Sequence, residues 1–225
     1  MIYVTGDTHG DVDRLFDKEL KKLKKDDTLI ICGDFGFVWD GSDREMKILD
    51  ELGNRRYNVL FVDGTHENYE LLNSKFRMTV WNKGRVHRVS GTCFHALRGE
   101  IFEIEGNRIF TFGGGESRDK EMRLEQGTWY REEMPSAAEM ESGAEKLDEY
   151  GDEVDYIITH EPPSLVKSTM LLRSSEPDEV NKLNGYLEQL NRACRFKHWY
   201  FGSMHEDKVV TPVHTAVFRH ILPIK

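Results

Sequence analysis

Six short motifs hold the residues able to do chemistry in this chain: Gly6-Asp7-Thr8-His9-Gly10, Gly33-Asp34, Gly64-Thr65-His66-Glu67, Gly113-Gly114-Gly115, Thr159-His160-Glu161-Pro162-Pro163 and Gly202-Ser203-Met204-His205. Carboxylate oxygens and imidazoles suit manganese, iron, zinc or nickel, and one carboxylate can bridge two cations. Asp7 and His9 flank a single residue, so one turn can aim both at one ion, while Asp34 leaves the next strand in position to bridge. A lone Gly-Asp is ordinarily a turn and a lone histidine ordinarily a hydrogen-bonded surface or core residue. Five such clusters in one chain, each behind an apolar run, outweigh that reading and predict a metal site.

The apolar runs must position these residues. They cover residues 2–5, 29–32, 59–62, 109–112, 156–158 and 199–201, and their length and composition are those of buried strands. Between the early runs, Val12, Leu15, Phe16 and Leu20, then Met46, Leu49 and Leu52, carry helical spacing. The first half therefore predicts a β-α-β-α-β succession and a parallel sheet, whose ligands gather beyond the carboxyl ends of the strands. From Val86 strands follow closely, with a hairpin expected at residues 102–112 turning on Gly106-Asn107, and residues 207–224 repeat the idea. A polar stretch spans residues 116–134, and helices are expected near 136–150 and 177–196.

A chain of 225 residues predicts a single domain over 1–225. The net charge of −9 makes a broadly anionic surface, which disfavours duplex nucleic acid as a partner. No apolar run has the length of a membrane span, and residues 1–4 enter a strand directly, so the expected location is cytoplasmic, without a membrane partner. Cys32, Cys93 and Cys194 lie far apart without CxxC spacing, which predicts buried free thiols rather than a disulfide framework or cysteine zinc site.

The ordered set Asp7-x-His9, Gly33-Asp34, Gly64-x-His66-Glu67, Thr159-His160 and Gly202-x-x-His205 resembles the calcineurin-like metallophosphoesterase superfamily over nearly the whole chain. The resemblance implies an α/β fold, a four-layer αββα sandwich of two mixed β-sheets flanked by helices. It implies that Asp7, His9 and His205 hold a first metal, that Asp34 bridges, and that His160 binds a second. His66 and Asp34 are the implied catalytic residues, His66 as the acid that stabilises or protonates the leaving group. Manganese or iron stands ahead of zinc, nickel or magnesium as the divalent cofactor. The implied reaction is hydrolysis of a small phosphomonoester or phosphodiester, a nucleotide among the candidates, by metal-activated hydroxide.

Two positions depart from the family pattern. Thr65 stands where the family has asparagine in Gly-Asn-His-Glu, and Ser203 stands for the first histidine of Gly-His-x-His; both belong to the second metal. A neutral hydroxyl is a poorer ligand than an amide oxygen and far poorer than imidazole. One ion strongly held and a second weak or absent is therefore the expectation. No arginine follows Asp34 as it does in protein phosphatases of the superfamily, which disfavours that activity. Arg118 and Lys120, after the triple glycine, are candidate phosphate-binding residues, with Arg123 and Arg98 behind them; Trp129 and Tyr130 are candidates for stacking on a base. His87, His95, His198, His214 and His220 fall outside the motifs and are expected to be structural. The competing reading is a catalytically attenuated metal-binding or ligand-binding relative, and a nuclease would need a basic groove that the composition does not promise.

Overall fold

Each short apolar run becomes a strand, and the Gly-Asp and Thr-His clusters fall in the turns that follow. The architecture comes from a computed structural model that describes residues 1–172 and 180–224. Strands β1 (Ile2–Thr5), β2 (Thr28–Ile31), β3 (Asn58–Phe61) and β6 (Cys93–Ala96) run parallel in that order, and β5 (Gly84–Ser90) and β4 (Arg77–Trp81) extend the sheet antiparallel. At its other edge β13 (Leu222–Pro223) pairs antiparallel with β1, giving seven strands ordered β13-β1-β2-β3-β6-β5-β4. The second sheet has six: β11 (Lys208–Thr211), β12 (His214–Ala216), β10 (His198–Phe201), β9 (Tyr156–Thr159), β8 (Asn107–Phe112) and β7 (Glu100–Ile104), with β12, β10, β9 and β8 parallel.

Alternation along the strands builds three apolar layers. Val4, Ile30, Leu60 and Phe94 of the first sheet meet Phe102, Ile109, Ile158 and Tyr200 of the second, forming the core between the sheets. Leu29, Ile31, Val59 and Phe61 face the other way, towards α1 (Val12–Leu15), α2 (Asp43–Gly53) and α3 (Tyr69–Lys75). Phe110, Ile157, Trp199 and Phe201 pack on the far side of the second sheet against α5 (Ala137–Glu149), α6 (Ser164–Leu171) and α7 (Lys182–Ala193). A further short helix, α4 (Lys120–Glu125), lies in the connection after β8. The result is the four-layer αββα sandwich.

Local chemistry accounts for where the elements differ from expectation. The spacing from Val12 to Leu20 does not make one helix: α1 is a single turn, because the Asp17 carboxylate accepts from the Glu19 amide at 2.7 Å and offers the backbone an alternative to helix. The β7–β8 hairpin turns on Glu105 and Gly106, at φ 50° and 76°, one residue earlier than expected, since both central positions of a type I′ turn need positive φ. The C-terminal stretch does not stay in one hairpin; after β11 and β12 it crosses to pair with β1. Helix α5 starts behind a Ser136–Glu139 capping box. Asn181 caps α7, and residues 177–179 of the helix expected from 177 lie outside the described residues. All three cysteines are buried free thiols. Among the described residues no helix is long and apolar enough to cross a membrane.

Candidate metal centre

The centre lies where the carboxyl ends of β1, β2, β3, β9 and β10 converge, so both sheets contribute. Asp7 and His9 follow β1, Asp34 follows β2, Thr65 and His66 follow β3, His160 follows β9, and Ser203 and His205 follow β10. His9, Asp34, Ser203 and His205 all adopt positive φ, at 47°, 41°, 63° and 50°. Non-glycine residues in that region carry strain, and such strain clusters at functional sites. Two glycines make the close approach possible. A Cβ on Gly33 would come within 2.0 Å of His160 Nδ1, and one on Gly202 within 2.3 Å of both Asp7 Oδ1 and the Cys32 carbonyl oxygen.

Two compact donor groups result. Asp7, His9 and His205 place one ligand atom each within 4.8 Å of one another, and so do His9, Asp34 and His66. His9 Nε2 lies 3.0 Å from His205 Nε2, and His205 Nε2 lies 3.4 Å from Asp7 Oδ2. His160 bridges the two buried carboxylates, with Nδ1 3.3 Å from Asp7 Oδ1 and Nε2 3.7 Å from Asp34 Oδ1. Asp34 is gripped from the other side: the Thr65 and His66 amides donate to Oδ1 at 2.5 and 2.9 Å, and His66 Nδ1 lies 2.8 Å from Oδ2.

Electrostatics favour a cation here. Burial would lower the pKa of His160, but Asp34 and Asp7 override it and raise it to about 10. Burial alone would raise Asp34, yet His160 and His66 hold its carboxyl well below the usual range. The His66 hydrogen bond to Asp34 outweighs burial and raises the His66 pKa, whereas burial lowers that of His9. Asp7 is fully buried and its Oδ1 has no hydrogen bond of good geometry, only the His160 contact. A buried carboxylate oxygen so placed, beside two imidazoles and a second carboxylate, fits a divalent ion bound by oxygen and nitrogen donors.

The second-metal positions are engaged within the protein. Thr65 Oγ1 lies 3.4 Å from Asp34 Oδ1 and 3.1 Å from His66 Nδ1, and Ser203 Oγ donates to Glu161 Oε1 at 3.0 Å. His160 joins neither compact donor group. Glu67 is a brace: it accepts from the Phe35 and Gly36 amides at 2.6 and 3.3 Å and so fixes the turn that carries Asp34. Burial and the Asp34 charge push its own pKa up.

A pocket of about 310 Å³ opens over the centre, lined among others by Asp34, His66, Arg118, His160, Lys167 and His205. Arg118 lines this pocket but Lys120 does not; the Lys120 ammonium lies 4.5 Å over the Trp129 ring, beside a separate groove. Arg123 is buried, donating to the Thr65 carbonyl at 2.6 Å and pairing with Glu133 at 3.2 Å, so it holds the Thr65 turn rather than meeting a ligand. Arg98 is spent on buried Asp63. Trp129 donates to Glu133 at 2.8 Å, and Tyr130 packs beside Tyr69. His87 and His95 pair at 3.2 Å in a network with Asp63, and His198, His214 and His220 bond to Thr215, Asn191 and Asp207, away from the centre.

Lys167 and Asn184 escaped the sequence reading. Lys167 Nζ lies 3.0 Å from Glu161 Oε2 and 3.3 Å from Asn184 Oδ1, all buried. The available signal was the glutamate beside His160, which in a buried turn requires a cation or donors.

Two mixed sheets with cation-suited donors at their joined strand ends define a metallophosphoesterase, a metal-dependent hydrolase of phosphoester bonds. The family model for calcineurin-like phosphoesterases matches residues 1–207, and the chain belongs to that family. No curated protein matches the chain. Among solved structures, a protein of unknown function from Aquifex aeolicus is similar at 18% identity and a TM-score of 0.37, over 71% of this chain and 77% of that one.

Proposed function

We propose that residues 1–225 act as one catalytic domain that hydrolyses a small phosphomonoester or phosphodiester, nucleotides included, with one divalent ion held firmly and a second held weakly. The observation that carries this reading is a pair of compact donor groups that share His9, one of Asp7, His9 and His205 and one of His9, Asp34 and His66, beside a pocket of about 310 Å³. Asp7, His9, Asp34 and His205 would hold the first ion, manganese or iron, while Asp34 and His160 would contribute to the second. Bound divalent ions supply positive charge for the phosphoryl oxygens and a nucleophile at neutral pH. His66 keeps one ring proton against Asp34 and, with its pKa raised by that contact, can carry another on Nε2 for the departing oxygen. Arg118, at the pocket wall, supplies a phosphate-binding guanidinium. The cytoplasmic location expected from the sequence is part of this proposal.

The attenuated relative remains the second reading, and it draws on one observation: the Ser203 hydroxyl is already turned to Glu161. Chelator-treated protein assayed against nitrophenyl phosphate, bis-nitrophenyl phosphate and nucleoside mono- and diesters, with and without Mn²⁺, separates the two. Mn²⁺-dependent hydrolysis that disappears in Asp34→Asn is the expected result. Metal binding without hydrolysis of any ester would favour the binding protein.

A further inference from the structure

The flank of the pocket where Ser203 stands in place of a second-metal imidazole holds a buried cation. Lys167, on α6, lines the pocket together with Glu161, Asn181, Ser203 and His160. Its side chain is 8% exposed, so the ammonium is a fixed element of the wall rather than a solvated surface charge. An ammonium has three N–H donors. Glu161 Oε2 at 3.0 Å and Asn184 Oδ1 at 3.3 Å take two of them. The lysine is also held in place from below. Asn184 Nδ2 donates to Glu161 Oε2 at 2.8 Å and to the Pro162 carbonyl at 2.9 Å, and its Oδ1 accepts from the Asn181 amide at 3.0 Å, so the acceptors facing Lys167 are themselves locked.

Glu161 links this lysine to the weakened site. Its Oε1 accepts from Ser203 Oγ, at the position where the family pattern has an imidazole, while its Oε2 faces Lys167. Glu161 does not act as a substitute metal ligand by its geometry, since Asp34, His160 and Glu161 form no compact donor group among the described residues. Lys167 is thus a charge of the chain's own on this flank, paired with Glu161 at 3.0 Å.

We propose that Lys167 is a phosphate-binding residue of this pocket, donating the N–H that no acceptor among the described residues takes to a phosphoryl oxygen on the flank where Thr65 and Ser203 weaken the second metal. The inference rests on the phosphoesterase reading above and adds a ligand contact to it. It makes the phosphoryl group partly neutralised by a buried ammonium, with Arg118 lining the same pocket, so that substrate binding requires less of the second ion.

The test uses inorganic phosphate, titrated calorimetrically into full-length protein loaded with one equivalent of Mn²⁺, with bound metal counted in every sample. Lys167→Met alone would leave Glu161 buried without its cation, so the comparison is made on a Glu161→Gln background. There the carboxamide introduced at position 161 can take both neighbours, because the Ser203 hydroxyl can turn to accept. Glu161→Gln retains phosphate binding, and adding Lys167→Met weakens it by at least about tenfold with metal content unchanged, the loss expected for a charge-assisted hydrogen bond. Lys167→Arg in the same background recovers part of that loss. If Glu161→Gln and Glu161→Gln/Lys167→Met bind phosphate equally, Lys167 is only the counter-ion of Glu161 and the proposal fails while the phosphoesterase reading stands. If loaded wild-type protein binds no phosphate, the pocket reading beneath the proposal falls as well.

Discussion

A proton donor for the leaving group is the role we propose for His66 among the imidazoles of the centre. His66 alone has Nδ1 within 2.8 Å of Asp34 Oδ2. Replacing it with alanine should lower kcat by about 10²-fold to 10⁴-fold for alkyl esters and less for nitrophenyl esters, whose leaving groups depart without a proton. Equal losses for both would leave His66 a positioning group. Thr65 and Ser203 make a complementary prediction. Thr65→Asn with Ser203→His returns an amide oxygen and an imidazole beside Asp34 and His160, and the φ of 63° at Ser203 is one that histidine tolerates better than most residues. Tighter binding of a second Mn²⁺ and a rise in turnover of at least about tenfold, roughly 1.4 kcal/mol, are expected. Two bound ions with flat turnover would show that the native site works with one.

At the scale of elements, the site depends on strand ends being pressed together without side chains between them. Gly202→Ala would drive a Cβ to 2.3 Å from Asp7 Oδ1 and from the Cys32 carbonyl, parting β10 from β1 and β2. The expected cost is about 1–3 kcal/mol of stability together with loss of bound metal, both readable from thermal unfolding and metal analysis. Stability unchanged with full metal content would mean that the strand ends can yield. The strand ends were legible in the sequence because an apolar run followed by Gly-Asp or Thr-His is a local signal that carries both position and chemistry. Other features depended on partners far along the chain. The break after α1 rests on Asp17 bonding the Glu19 amide, which competes with an apolar spacing that suits a helix. The return of β13 to β1 links the two ends of the chain. Lys167 reads as an ordinary helix lysine until Glu161 and Asn184 are found around it, and Arg98 and Arg123 read as free cations until Asp63 and Glu133 bury them.

The whole molecule is a sandwich whose two sheets each bring candidate ligands to one centre, so binding of an ion there would be coupled to folding. Chelation should lower the melting temperature: an ion present at about 100 times its Kd contributes roughly 2.7 kcal/mol to the native state, or on the order of 5–10 °C for a chain of this size. An unchanged melting temperature on chelation would show that no ion holds the sheets together. In the metal-free protein, burial lowers His87 and His214 to about 4 each from 6.5. Because these folded values lie below the unfolded one, the native state binds fewer protons across that interval. Their contribution is complete above about pH 6.5 and is lost as pH falls towards 4. His160, raised to about 10, works in the opposite sense and is already at its full contribution below pH 6.5. Glu67, raised by burial, works against that loss, so the readout is the difference between variants: in chelator, His87→Gln should lose less stability than the parent from pH 6.5 to 4.5, and equal changes would assign the pH dependence elsewhere.

The central claim is that hydrolysis follows an ion held by Asp7, His9, Asp34 and His205. Titrating Mn²⁺ into chelator-treated protein, while bound metal and nitrophenyl phosphate hydrolysis are measured in the same samples, tests it most directly. Hydrolysis should be absent at zero metal, rise with the first bound equivalent, climb further only at higher Mn²⁺, and stay absent in Asp34→Asn. Hydrolysis that is already full without metal, or that persists undiminished in Asp34→Asn, would contradict the account.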